Sequence, residues 1–216
     1  MVDFERARAH MVDSQLRTSG VTDPRILVQM RTVAREDFVP ESRRDVAYID
    51  AVHWFGARGT SRFMPAPATL AKLLQLAVIT ETDSVLDIGA TTGYGTMVIA
   101  GLAAEVVGYE PDADLAAGSR LAGASPANCR MVSGSVAQLG AARFDVVIVE
   151  GALEAVPVEY FAALKEGGRL VAVIGQGGIG VAHVFVKADG KVTARAEFDA
   201  ALPPLFPPSG EPPFRF

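Results

Sequence analysis

Val85-Leu86-Asp87-Ile88-Gly89-Ala90-Thr91-Thr92-Gly93-Tyr94-Gly95 decides the fold of this chain. Ser84 to Ile88 reads as a short apolar strand, Gly89 to Gly95 as a turn, and Thr96 to Leu102 as an apolar helix. That unit opens an open α/β sheet, in which ligands bind outside the carboxyl ends of the strands where the strand order reverses. Backbone that must approach a ligand closely needs glycine, because a Cβ would hold it away. The spacing is G-x-x-x-G-x-G. Ala90 and Thr91 break the dinucleotide pattern G-x-G-x-x-G, and no G-K-[ST] suggests a P-loop. The turn therefore favours a nucleoside ligand without a phosphate chain, which counts against a nicotinamide oxidoreductase.

Outward from this turn the rhythm repeats. Glu105 to Tyr109 is the next strand and Asp112 to Leu121 the next helix. Arg130 to Val132 and Phe144 to Val149 are further strands. Pro157 starts a helix that should stop at Gly167-Gly168, and Arg169 to Ile174 is another buried strand. Strands alternating with helices imply a parallel sheet covered on both faces. Ala182 to Lys187 and Val192 to Phe198 flank Asp189-Gly190, a hairpin signal. Six of the 13 prolines fall between Pro203 and Pro213. This tail should lie extended over the surface, pinned by Phe206, Phe214 and Phe216.

The first 50 residues read as helical. Thr22-Asp23-Pro24 starts a helix carrying Ile26, Leu27, Met30 and Val33, and Gly20 ends the one before it. Another helix begins near Pro67, with Leu70, Leu73, Leu74 and Ala77 on its buried side. The expectation is one α/β domain over 1–216, doubly wound and Rossmann-like. It comprises a helical and acceptor-loop region (1–80), a core (81–200) with a C-terminal antiparallel hairpin, and a Pro-rich tail (201–216).

The 216 residues carry a net charge of −5 and are 50% hydrophobic, which suits a sizeable core and argues against nucleic acid as the main partner. The single cysteine, Cys129, reads as a buried inert thiol. No apolar run approaches the roughly 20 residues of a membrane-spanning helix, and the N-terminus lacks a secretory core. A cytoplasmic protein without membrane partners is expected. No His/Cys/Asp/Glu cluster has metal-ligand spacing, so no metal is expected. The oligomeric state is not legible.

Two acids stand out. Glu110 ends the second strand about 20 residues beyond the turn, where a carboxylate can accept hydrogen bonds from both ribose hydroxyls. Taken alone it could equally be a solvated strand end; with the glycine turn, the ribose role is favoured. Asp87 lies inside an apolar strand, where a charge is costly unless satisfied. It could anchor the turn, or meet a ligand's ammonium directly or through water. Gly175-Gln-Gly-Gly-Ile-Gly180 spells a dinucleotide fingerprint, but Val181 to Lys187 after it reads as strand. The stretch therefore lacks a helix N-terminus and is a turn.

Met11 to Leu27, Arg35-Glu-Asp-Phe-Val-Pro40, Ala47-Tyr-Ile-Asp50, Val85 to Tyr94 and Phe144 to Gly175 together resemble the protein-L-isoaspartate O-methyltransferases over nearly the whole chain. The resemblance implies a class I methyltransferase sheet, S-adenosylmethionine as cofactor and S-adenosylhomocysteine as product. It places Asp87, Gly89, Ala90, Thr91, Gly93, Glu110, Pro111, Ser135, Val136 and Glu150 around the cofactor. It also implies a protein or peptide substrate bearing an isoaspartyl carboxylate. Two departures matter. The family carries a motif like G-Q-T-I-S-Q-P whose serine is assigned to catalysis, whereas this chain has Gly59-Thr-Ser-Arg-Phe-Met-Pro-Ala-Pro67. Aligned on the glycine, the serine position falls on Phe63; aligned on the last proline, on Pro65. Thr60 and Ser61 are the nearby hydroxyls. Gly134-Ser135 stands where the family usually has Gly-Asp near the adenine.

A carboxylate acceptor is ionised at neutral pH, with a pKa of about 4, and needs no general base. The protein's task is then to align nucleophile, methyl carbon and sulfur. An alcohol or amine acceptor would call for a base; His53 is the one histidine near the acceptor loop, and a lone His beside Trp54 is more often packing. The alternative function is a homologue that keeps the cofactor but has another acceptor or none.

Overall fold

The computed structural model describes residues 2–55, 62–119, 126–134, 139, 141–176 and 179–206. Helix α1 (Phe4–Met11) is capped by Asp3, whose side chain accepts from the Arg6 amide at 3.0 Å, and runs on through a π-helical turn at Val12–Leu16. Gly20, at φ 86°, ends it. Asp23 caps α2 (Pro24–Thr32) by accepting from the Arg25 amide, and Pro24 occupies the first turn, where its missing N–H is harmless. Gln75 Oε1 accepts from the amides of Thr22 (2.7 Å) and Asp23 (3.0 Å), fastening the entry of α2 to α3 (Pro67–Ala77). Leu70, Leu73, Leu74 and Ala77 are all buried, as their spacing predicts.

A two-stranded antiparallel ribbon, β1 (His53–Phe55) and β2 (Arg62–Met64), precedes α3. Beyond it run β3 (Ser84–Ile88), α4 (Tyr94–Ala100), β4 (Glu105–Tyr109), α5 (Ala113–Ala117), β5 (Cys129–Val132), β6 (Phe144–Leu153), α6 (Val158–Ala162), β7 (Leu164–Gln176), β8 (Ile179–Ala188) and β9 (Lys191–Ala200). The main sheet has seven strands in the order β5-β4-β3-β6-β7-β8-β9. The first five of these pair in parallel, and β8 and β9 extend the sheet antiparallel. Alternate residues of the central strands serve opposite faces. Val85, Val106, Val146 and Ile148 pack in the core shared with the N-terminal helices, while Leu86, Val107, Val147 and Val149 pack with Tyr160 and Leu164. This is the doubly wound arrangement expected, with its switch point between β3 and β6.

Several boundaries differ from the sequence reading. Helix α4 starts at Tyr94, two residues early, because left-handed Gly93 already serves as its cap. Helix α5 stops at Gly118, well short of Leu121, which lies outside the described residues. Helix α6 ends at Ala162 because Leu164 is already in register with Phe144. At the ends of the fingerprint-like stretch Gly175 pairs with Gly180 and Gln176 with Ile179 in the antiparallel β7–β8 ladder; residues 177 and 178 lie outside the described residues.

The tail is the larger correction. Residues 202–205 do not lie over the surface: Leu202 and Leu205 are each 1% exposed. The Ala152 amide donates to Pro203 O (2.9 Å), and the Leu205 amide donates to Ala152 O (2.8 Å). This parallel bridge tolerates two prolines because it uses the carbonyl of Pro203 and the N–H of Leu205, and so calls on no proline N–H. It forms where β6 has run past its last pairing with β3 at Val149, leaving that edge open. Phe206 is 45% exposed, and Phe214 and Phe216 lie outside the described residues.

The β8–β9 hairpin turns through Asp189 (φ 52°) and Gly190 (φ 70°), the two positive dihedrals that a two-residue turn of this hand requires. Substituting Gly190→Val should destabilise the chain by about 1–2 kcal/mol, since a β-branched residue is strained in that region. Urea denaturation would show this as a lowered midpoint with an unchanged slope.

Candidate active site

The turn after β3 is built by backbone strain held in place from β4. Gly89 (φ 88°), Thr91 (φ 49°) and Gly93 (φ 94°) are all left-handed. The amides of Gly89 and Ala90 both donate to Tyr109 O, at 2.9 and 3.2 Å, and that of Gly93 to Ala90 O. A β-branched threonine at positive φ is unfavourable, and such strain persists where the surroundings over-determine it. Here the Thr91 amide donates to Glu110 Oε2 at 2.8 Å.

Glu110 is wholly buried at the end of β4, and it does not meet bulk water as a solvated strand end would. Its Oε1 accepts from the Asp112 amide (3.0 Å) and from Arg62 Nε (2.8 Å); its Oε2 accepts from Thr91 and from Arg62 Nη2 (2.7 Å). The third arm of the guanidinium, Nη1, donates to Leu205 O at 2.6 Å. The space over the turn is filled as well. A Cβ on Gly89 would lie 2.6 Å from Leu205 Cδ1, and one on Gly151 would lie 2.8 Å from Leu205 Cα and Cβ. The space over the turn at the switch point is therefore occupied by Arg62 and Leu205. Two surface cavities, of about 400 and 260 Å³, lie elsewhere: one between Asp3, Arg6, His10 and Tyr48, the other between Arg25, Gln29 and Gly101.

Beneath the turn sits a second acidic group. Asp87 is fully buried, and its Oδ2 accepts from Thr96 Oγ1 at 2.6 Å. Gly108 makes that bond possible: a Cβ there would stand 2.6 Å from Thr96 Oγ1. Glu150, at the carboxyl end of β6, is 1% exposed and packs on Gly95, where a Cβ would fall 1.7 Å from Glu150 Oε1. Asp87 Oδ1, both Glu150 oxygens and Thr91 Oγ1 receive no donor from the rest of the described chain. The bond open to Asp87 and Glu150 is a proton carried by Glu150 between them. Burial and mutual repulsion push Glu150 well above the usual carboxylate range, and burial foremost lifts Asp87 to about 6.

Sequence reasoning gave no role to Arg35, which is fully buried. It donates to Ala47 O (2.9 Å) and Pro65 O (2.6 Å), lies 4.7 Å over the Tyr94 ring, and keeps Nη1 without a hydrogen-bond partner among the described residues. Its place in the block Arg35-Glu-Asp-Phe-Val-Pro40, which the family resemblance already marked, was the available signal. Arg62 was missed too, although it directly follows the candidate hydroxyls. Thr60, Ser61, Ser135 and Val136 lie outside the described residues. Phe63 and Pro65, the two positions on which the family serine falls, are buried and offer no hydroxyl. Pro111 is half-buried beside Glu110, and Ala90 is buried within the turn. His53 is buried, with its ring against Ala47 O at 3.2 Å and its pKa pushed down to about 4 by burial, which fits packing. Cys129 is buried, and its thiol is raised to about 11. Among the described residues there is no cluster able to hold a metal, and no helix is long and apolar enough to cross a membrane.

The family model for protein-L-isoaspartate(D-aspartate) O-methyltransferase (PCMT) matches residues 6–206. The chain belongs to that family. Among protein-L-isoaspartate O-methyltransferases, one from Koribacter versatilis is 32% identical over 219 residues, covering 100% of this chain and 97% of its own. One from Rhodopseudomonas palustris is 37% identical over 169 residues, 76% of each chain. A Plasmodium falciparum structure described as a member of the PCMT family, in complex with S-adenosyl-L-homocysteine, superposes with a TM-score of 0.76. It covers 92% of this chain and 98% of its own at 19% identity, which shows a shared fold. The PCMT match spans both Arg62 and Leu205.

The raised carboxyls set a pH dependence. A carboxyl whose folded pKa is raised adds stability that is complete below the ordinary range near 4 and is lost as pH rises through its folded value. For Asp87 that window runs from about 4 to about 6. Glu150→Gln supplies an amide donor to Asp87 in place of the shared proton. At pH 8 it should be more stable than the parent, by on the order of 1 kcal/mol, with the difference vanishing near pH 4. Urea denaturation at the two pH values measures it.

Proposed function

We propose that the chain is an S-adenosylmethionine-dependent O-methyltransferase that esterifies an isoaspartyl-type carboxylate on a protein or peptide. The observation that carries this reading is the ring of buried polar atoms without donors around the strained turn. Beyond the proton that Glu150 can share with Asp87, the atoms Asp87 Oδ1, Thr91 Oγ1 and the Glu150 oxygens have no hydrogen-bond partner among the described residues. Such atoms are costly to leave unmade, and a ligand bearing an ammonium and hydroxyls would satisfy them. Family membership names that ligand.

The residues present fit it. Glu110 can accept from the two ribose hydroxyls with the oxygen positions Arg62 now fills. Asp87 and Glu150 can receive the ammonium, while Gly89 and Gly93 keep Cβ atoms out of its path. Ala90 and Pro111 form apolar walls, and Ser135 and Val136 take the adenine side by resemblance. The bound cofactor supplies an electrophilic methyl group on a sulfonium. A substrate carboxylate is already ionised near neutral pH, so the chain has no proton to move. Its contribution is alignment and exclusion of water. That His53 is buried and packed fits a reaction without a general base.

One observation favours a second reading, in which the cofactor is kept and the acceptor differs: Phe63 and Pro65 replace the hydroxyl expected beside the acceptor. Losing one orienting hydrogen bond weakens acceptor binding by on the order of 1 kcal/mol, which slows the reaction without abolishing it. Incubation with an isoaspartyl peptide and methyl-labelled cofactor separates the two. The isoaspartyl reading expects base-labile methyl ester on that peptide and none on its aspartyl counterpart. No label at saturating cofactor would replace it with the second reading.

A further inference from the structure

We infer that Arg62 and Leu205 close the cofactor site from within, so that the cofactor enters only when the guanidinium releases Glu110 and the leucine leaves the glycine turn. The inference rests on the reading that Glu110 receives the ribose hydroxyls. An ionised carboxylate offers about four acceptor positions. At Glu110 two are taken by the amides of Thr91 and Asp112, which shape the site, and two by Nε and Nη2 of Arg62. A diol needs the same two positions as the arginine fork. Occupancy by one excludes the other.

The second half of the closure is independent in sequence and joined in space. Leu205 sits on Gly89 and Gly151, the two positions where β3 and β6 part and where a missing Cβ would admit a ligand. The Leu205 carbonyl accepts the third arm of Arg62, and the Leu205 amide is held by Ala152. The guanidinium thus bridges the end of β4 to the C-terminal strap. Arg62 is 10% exposed in its side chain and Glu110 is buried, so salt screens the pair little. The fork demands arginine: a lysine could reach one oxygen but could not hold both and the strap together. A site open only part of the time binds with its affinity reduced by the open fraction.

Calorimetric titration with S-adenosylhomocysteine tests this on the full chain and on the Arg62→Ala, Arg62→Lys and Leu205→Ala variants, with circular dichroism and melting as checks of folding. Closure expects Arg62→Ala to bind at least tenfold more tightly than the parent, with Arg62→Lys between them and Leu205→Ala several-fold tighter. If Arg62→Ala does not fold, Arg62→Lys and Leu205→Ala carry the test in the same direction. Binding by the parent equal to or tighter than that of every folded variant overturns the closure and leaves the cofactor reading standing. No binding by any folded protein overturns the cofactor reading, and the closure with it.

Discussion

The carboxylate of Glu110 holds four separate segments of the chain at one point. Through Thr91 it fixes the turn after β3, and through Asp112 it fixes the start of α5. Through Arg62 it fixes the β1–β2 ribbon, and through the third arm of that guanidinium it reaches the C-terminal strap. Burying such a group is tolerable only when its charge is matched and its lone pairs are filled. Taking away the arginine alone leaves an uncompensated buried charge, which is why the pair constrains everything around it.

Glu110 is also the best satisfied of the three acids buried around the β3 turn, Asp87, Glu110 and Glu150. Asp87 accepts one Thr96 hydroxyl, Glu150 has only the proton the two acids can share, and Arg35 keeps one arm unpaired among the described residues. An ordinary core would not retain so many polar atoms without partners. Their grouping at the carboxyl ends of β3 and β6, where the strand order reverses, is what an α/β ligand site requires. The same fold that gathers these acids also brings in a cation and an apolar side chain to cover them. Phe63 and Pro65, which follow Arg62 on the same segment, are buried and bring no hydroxyl to it.

What could be read from the sequence was what local rules decide. Asp23-Pro24 and Asp189-Gly190 each specify a backbone geometry within four residues, and both elements formed where expected. The β3 turn and the acid ending β4 were legible because a strand fixes which end its last residue occupies. The short helix α6 was over-extended because its end is set by sheet register, with Leu164 already opposite Phe144, and not by helix propensity. The strap was misplaced since prolines were judged by the N–H they lack and not by the carbonyl at Pro203 that Ala152 uses. Arg62 was invisible for the same kind of reason: its partners lie 48 and 143 residues away, and no spacing rule connects them.

The coupling between Arg62 and Glu110 tests the account most directly. Urea denaturation of the parent, Arg62→Ala, Glu110→Ala and the double variant, all without cofactor, closes a double-mutant cycle. A buried fork of this geometry should give a coupling of about 2 kcal/mol or more, each single variant costing nearly as much as the pair. A coupling below about 0.5 kcal/mol would mean that the two side chains do not meet in solution, and would contradict the account.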